Sequence, residues 1–185
     1  MIDELLEDAK RRMDKSVEAA VQEFNTVRTG RASAALLDRI AVDYYGQKTP
    51  VKQLATLNVQ EPRLLTIQPF DLSSQKSIER AIMESDLGLQ PSNDGKIIRL
   101  PIPQLTEERR KELVKVVRHL AEEGRVAIRN VRRDCMHHLK ELARDGDVGD
   151  DEERRAEDRL QKLTDEHITR VDELLKKKEE EIMEV

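Results

Sequence analysis

The sequence has no tryptophan, two tyrosines, two phenylalanines and one cysteine among 185 residues. So few rings, set against 38% charged residues, argue against one compact core. They favour long amphipathic helices that each bury a narrow apolar stripe. The lone cysteine, Cys135, excludes an internal disulfide and fits a reducing compartment. No run approaches the roughly 18 apolar residues of a membrane span. The first residues, MIDELLEDAKRR, are acidic and lack the apolar stretch of a signal peptide. A soluble, cytoplasmic protein with no membrane partner is expected. Proline is missing outside residues 50–103, so long helices are permitted on either side of that segment.

Chemistry is also scarce. No Gly-rich loop ending in Lys-Ser/Thr is present, so the chain is not expected to bind or hydrolyse GTP. No carboxylate sits among apolar neighbours that would tune an acid-base pair. His137 and His138 are adjacent and, on a helix, point 100° apart, a poor arrangement for one metal ion. Cys135 and His138 lack a second ligand pair, so a packed cysteine and a half-buried histidine are the simpler reading. The expectation is a non-enzyme with no catalytic residues, no metal and no cofactor.

What is present is periodicity. Ile2, Leu6, Ala9, Met13, Val17, Ala20, Phe24 and Val27 recur at steps of three and four, predicting a helix over 1–29 that stops at Thr29-Gly30. Thr106 is a good N-cap for a second helix, with Glu107 and Glu108 in its first turn. Its stripe is Leu113, Val117, Leu120, Gly124, Ile128, Val131, Cys135, Leu139 and Leu142. Asp145-Gly146 breaks it. Asp150 and Glu153 then form a candidate capping box for a third helix, with stripe Ala156, Leu160, Leu163, His167, Val171, Leu174 and Ile182.

Residues 31–104 read differently. Strands are predicted over 39–45, 54–59, 63–68 and 96–102, with a short helix over 74–85 and a turn at Asn93-Asp94-Gly95. Tyr44 and Tyr45 fall on opposite strand faces, one toward a core and one toward solvent. The fold class is therefore α+β: an elongated antiparallel three-helix bundle (1–30 and 105–185) interrupted by an inserted, β-rich, sandwich-like α/β domain (31–104). The chain crosses between the two at Thr29, Gly30 and Arg31 and again at Pro103, Gln104 and Leu105, a natural hinge.

Charge is unevenly spread. The whole carries -5, yet residues 109–133 hold nine basic and three acidic groups. On a helical wheel Arg118, Arg125, Arg129 and Arg132 lie within about 60° of one another, roughly 110° from the apolar stripe. Arg133 points further round. They form an exposed ridge beside the core. The bland alternative is a solvated face balanced by Glu122, Asp134 and the acidic third helix. Against it, arginine outnumbers lysine seven to two in this stretch, and guanidinium forks match phosphate oxygens. The ridge has no aromatic platform for loose bases, so a folded, phosphate-walled RNA surface is the better fit.

The stretches VRTGRAS (27–33), VDYYG (42–46), SDLGLQPSNDG (85–95), LTEERRKEL (105–113), RVAIRNVRRD (125–134) and QKLTDEHI (161–168) resemble the bacterial ribosome recycling factor family. Ala34, where the family often has proline, and Gln90, where it often has asparagine, depart from it. The resemblance implies an L-shaped molecule. It also implies action with elongation factor G and its GTP to split post-termination ribosomes and free them from mRNA. Initiation factor three then prevents reassociation. It further implies a bundle docked on large-subunit ribosomal RNA. Arg129 and Arg132 are the implied first contacts, with Arg133 and Arg28 behind them, and Arg125 and Arg118 on the same ridge. A monomer is expected. The rival from another class is a coiled-coil scaffold whose stripes pair with other chains; Gly124 in mid-stripe and the inserted domain count against it.

Overall fold

The structure is a computed structural model and describes residues 1–184. In chain order its elements are α1 (Ile2–Thr26), β1 (Ala41–Tyr44), β2 (Gln47–Pro50), α2 (Val51–Leu54), β3 (Ala55–Glu61), β4 (Leu64–Pro69), α3 (Gln75–Glu84), β5 (Ser92–Asn93), β6 (Ile98–Pro101), α4 (Glu107–Arg144) and α5 (Asp150–Met183). No described helix is long and apolar enough to cross a membrane. The chain divides into two compact units, residues 1–29 with 106–184, and residues 30–105.

The first unit is a bundle in which α1, α4 and α5 all pack on one another. On α1 the buried residues are Leu6, Ala9, Met13, Val17, Ala20 and Phe24, the interior of the predicted stripe. Burying a side chain of the larger kinds is worth about 1.5–3 kcal/mol each. The helix ends earlier than predicted. Thr26 is its last residue and Val27 is extended, its N–H still bonded to the Phe24 oxygen. Gly30 does adopt a positive φ of 79°, but it lies in the other unit and does not cap α1.

The 38 residues of α4 make a rod about 57 Å long at 1.5 Å per residue. Thr106 caps it as expected, its side chain accepting from the Arg109 N–H at 3.1 Å. Gly146, at φ 82°, lets the turn close after it, its N–H bonding the Ala143 oxygen while Asp147 reaches Leu142. The buried stripe uses Ala121 instead of Leu120, and Leu142 is only half-buried. A three-helix junction has room for a methyl at that layer and pushes the larger leucine toward the rim. On α5, Leu163 and Leu174 of the predicted stripe are only half-buried, and Thr164, beside the first of them, is buried instead. Its hydroxyl is satisfied by the Leu160 carbonyl at 2.8 Å. The capping box at Asp150 does not form: Gly149 is the N-cap, without a side-chain bond, and Asp150 is already helical. Four acidic residues in that first turn, Asp150 to Glu153, complement the positive helix end instead.

The second unit holds a four-stranded antiparallel sheet in the order β3-β4-β6-β5 and a separate β1-β2 hairpin. One core joins them: Val42 of β1, Leu65 and Ile67 of β4, Ile78 and Ile82 of α3, and Ile98 of β6. β2, β5 and the single turn α2 were not foreseen. β2 and β5 are exposed or half-buried throughout, and α2 is one turn, so no alternation or long stripe announces them. Tyr45 and Gly46 both have positive φ, 49° and 79°, the two-residue primed turn a twisted hairpin needs. Tyr45 is 83% exposed, while Tyr44 packs against the core and donates to Asp71 at 3.2 Å. Asp94 organises the predicted turn by accepting from the Lys96 and Ile97 N–H groups and from Arg99. The bond from Ile97, then those from Arg99 and Lys96, lower its pKa to about 2. Ala34 begins a short 3-10 turn, capped by Ser33.

Candidate nucleic-acid interface

Arginines seven residues apart return to nearly the same face of α4, so Arg118, Arg125 and Arg132 form one row. The matching row on α5 is acidic. Arg118 Nε lies 2.7 Å from Glu179, and Arg125 Nη2 lies 2.7 Å from Asp172. Both pairs obey one antiparallel register, since Glu179 and Asp172 are also seven apart. Arg125 is further held by Glu122 at 3.1 Å, and its side chain is only 20% exposed. Burial works against its charge, but bonds to Asp172 and then Glu122 outweigh that and raise its pKa. Glu122 also receives Arg129 at 3.1 Å. The bond from Arg125 and then that from Arg129 hold its carboxyl below the usual range.

The ridge is therefore not one continuous exposed stripe. Its first part is neutralised by α5, as the solvated-face alternative supposed, because the acidic row of α5 packs in register beside it. The third rung behaves differently. Continued by seven residues, the same spacing makes Asp165 the counterpart of Arg132, yet the bond Asp165 makes is to Gln161, from which it accepts at 2.9 Å. Among the described residues neither Arg132 nor Arg133 has an ion-pair or hydrogen-bond partner; Arg132 is half-buried and Arg133 exposed. Arg28, just past the end of α1, is exposed and likewise without a protein partner among them. What the bundle leaves available is Arg132 and Arg133, with Arg129 shared with one carboxylate.

Two features escaped sequence reasoning because they depend on packing. Arg12 of α1 lies 2.8 Å from Asp134, so the acid that interrupts the basic run is already paired inside the bundle. His167, 3% exposed, has Nδ1 2.6 Å from the Leu163 oxygen and Nε2 2.7 Å from Asp14, which Arg170 also contacts at 2.9 Å. The bond from His167 leads in holding the Asp14 carboxyl below its ordinary value. Cys135 is buried, and burial raises its thiol pKa. His137 and His138 are both exposed, a correction to the half-buried histidine expected beside it; this side of α4 faces outward past Cys135.

Of the residues predicted at the crossings, Thr29 belongs to the bundle, and Gly30, Arg31, Pro103, Gln104 and Leu105 belong to the inserted unit.

Comparison with known proteins fits this architecture. A family model described as ribosome recycling factor matches residues 20–183. The ribosome-recycling factor of Rubrobacter xylanophilus is 61% identical over 180 residues, covering 97% of this chain and 97% of that protein. A solution structure of the ribosome recycling factor superposes with a TM-score of 0.73 at 43% identity, covering 100% of this chain and 98% of the other. A second structure matches with a TM-score of 0.65 at 48% identity, covering 100% of both chains. It is described as models for the T. thermophilus ribosome recycling factor and the E. coli elongation factor G bound to the E. coli post-termination complex. On a family match over most of its length and a relative of this identity nearly end to end, the chain belongs to the ribosome recycling factor family.

Proposed function

We propose that this protein docks on large-subunit ribosomal RNA through the open end of its arginine ridge. With elongation factor G it then splits the post-termination ribosome. Arg132 and Arg133 make the first phosphate contacts, Arg129 exchanges Glu122 for phosphate, and Arg28, just past the end of α1, adds a separate positive charge farther along the bundle. Arg125 and Arg118 act mainly as internal ties that hold α4 against α5. The observation that carries this reading is the unpaired third rung: Arg132 repeats the spacing of two paired arginines but has no partner among the described residues. A guanidinium left in this state gains most from a phosphate fork.

The energy comes from GTP bound by the partner, because the chain has no phosphate loop of its own. A relative seen with elongation factor G on a post-termination complex supports that partnership. The inserted unit bends on the bundle where the chain crosses between them, once after α1 and once before α4. Initiation factor three acts afterwards. The protein works as a cytoplasmic monomer without chemistry of its own; the apolar stripes of α1, α4 and α5 cover one another within the chain, which disfavours the scaffold alternative.

Light scattering of post-termination ribosomes, with this protein, elongation factor G and GTP, tests the reading. Wild type is expected to split subunits. Arg132→Glu loses at least one charge-assisted contact, about 1.5–3 kcal/mol or ten-fold and more in binding, with helicity intact. Normal splitting and normal affinity in that variant would remove Arg132 from the interface.

A further inference from the structure

The two crossings between the units are tied to a single turn. In the loop between β3 and β4, the Pro62 oxygen accepts the Ala32 N–H at 2.7 Å, and the Arg63 oxygen accepts the Ile102 N–H at 2.8 Å. The Arg63 side chain adds a third tie. With its amide oxygen turned toward the guanidinium, Gln104 accepts from both terminal nitrogens, Nη2 at 2.8 Å. The crossings also touch each other, for a Cβ placed on Gly30 would lie 3.1 Å from Leu105 Cγ. Gly30 has φ 79°, so both its conformation and its contact disfavour a side chain.

On the bundle side the chain is equally committed. Val27 still donates to the Phe24 oxygen, and the Thr106 side chain is bonded to Arg109 within α4. Little chain is left to bend. One strand offers Arg28 and Thr29; the other offers only the Leu105-Thr106 junction.

We infer that the Pro62-Arg63 turn holds this joint, Pro62 tying down residue 32 and Arg63, the positioning residue, clamping residues 102–104, so that bending is confined to Arg28-Thr29 and Leu105-Thr106. Gly30, Arg31, Pro103, Gln104 and Leu105 thus move with the inserted unit, as the rim of a socket, and are not the flexing segment. A planar fork holding one amide oxygen from two nitrogens fixes direction as well as distance, which a single-point lysine contact does not. The inference rests on the proposal that the units bend, but it is tested on the isolated full-length protein, so failure at the ribosome leaves its outcome readable.

Arg63→Ala, Arg63→Lys and Gln104→Ala are compared with wild type by backbone 15N relaxation and by the width of the distance distribution between dyes on Lys48→Cys and Asp151→Cys. In Arg63→Ala the order parameters of Ile102, Gln104 and Leu105 are expected to fall from about 0.85 to below about 0.6, with a broader distance distribution. Amide shifts along the β4–β6 pairing stay in place. Gln104→Ala, at an exposed position that leaves the fold intact, loosens the same residues, and Arg63→Lys restores part of the order. Unchanged order at 102–105 in Gln104→Ala and Arg63→Ala overturns the inference. So does loosening that appears equally through β4 and β6, which marks Arg63 as merely structural.

Discussion

Replacing Gly124 with alanine is expected to stabilise the bundle by about 1 kcal/mol. Gly124 is buried on α4 and faces both neighbours: a Cβ there would sit 3.4 Å from Ala20 Cβ on α1 and 3.6 Å and 3.7 Å from the two methyls of Val171 on α5. Helix propensity favours alanine over glycine by about 0.8–1.0 kcal/mol. A newly buried methyl adds up to about 0.8 kcal/mol. Against this, the contact with Ala20 falls just inside the optimum of about 3.5–4.0 Å, so the helices must part by about a tenth of an ångström. That repulsion takes back part of the gain and leaves the sign positive. At this chain size the change raises Tm by about 2–4 °C. Thermal and urea unfolding followed by far-UV circular dichroism read it directly. Gly124→Leu is the control: three further carbons have no space, and overpacking costs about 1–3 kcal/mol. A fall in Tm for Gly124→Ala, or equal stability of the alanine and leucine variants, refutes the packing described here.

Arg125→Ala is expected to destabilise the bundle by about 1.5–3 kcal/mol, because it strips Asp172 and Glu122 of a mostly buried partner; Arg118→Ala, at a side chain 65% exposed, costs under about 1 kcal/mol in the same urea titration. Asp14→Ala leaves the buried Nε2 of His167 without its partner and costs about 1–3 kcal/mol near neutrality. Asp14 has a lowered folded-state pKa, so its contribution is complete above the ordinary carboxylate value of about 4 and is lost as pH falls through the folded value. Urea midpoints of wild type and Asp14→Ala should therefore converge in acid; a gap that widens as pH falls contradicts the assignment. In ribosome binding, Arg132→Ala should reduce the slope of log K against log salt by about 1, and Arg118→Ala should leave it unchanged. Equal slopes for the two variants remove the distinction between the open and closed parts of the ridge.

Much of the fold was legible because its signals are local. The stripes of α1, α4 and α5 repeat at the helical period, Thr106 caps its own helix, and Asn93-Asp94-Gly95 forms its turn from neighbouring groups. The misses are places where that local signal was absent or did not decide the outcome. Gly149 capped α5 in place of Asp150, a buried alanine displaced Leu120 from the α4 stripe, and β2 and β5 pair through backbone groups that no side-chain pattern reveals.

The arginine row was equally visible in the sequence, since seven-residue spacing alone aligns Arg118, Arg125 and Arg132 on one face of α4. Its chemistry was not. Whether an arginine is spent inside the protein or offered to a partner depends on the register of α5 against α4. That register pairs Arg118 and Arg125 with acids of α5, while Asp165, the next acid in the same spacing, bonds Gln161 and leaves Arg132 open among the described residues. The sequence by itself determined which residues share a face. The tertiary structure decided which of them remain uncommitted, because charges neutralise one another through space and not along the chain.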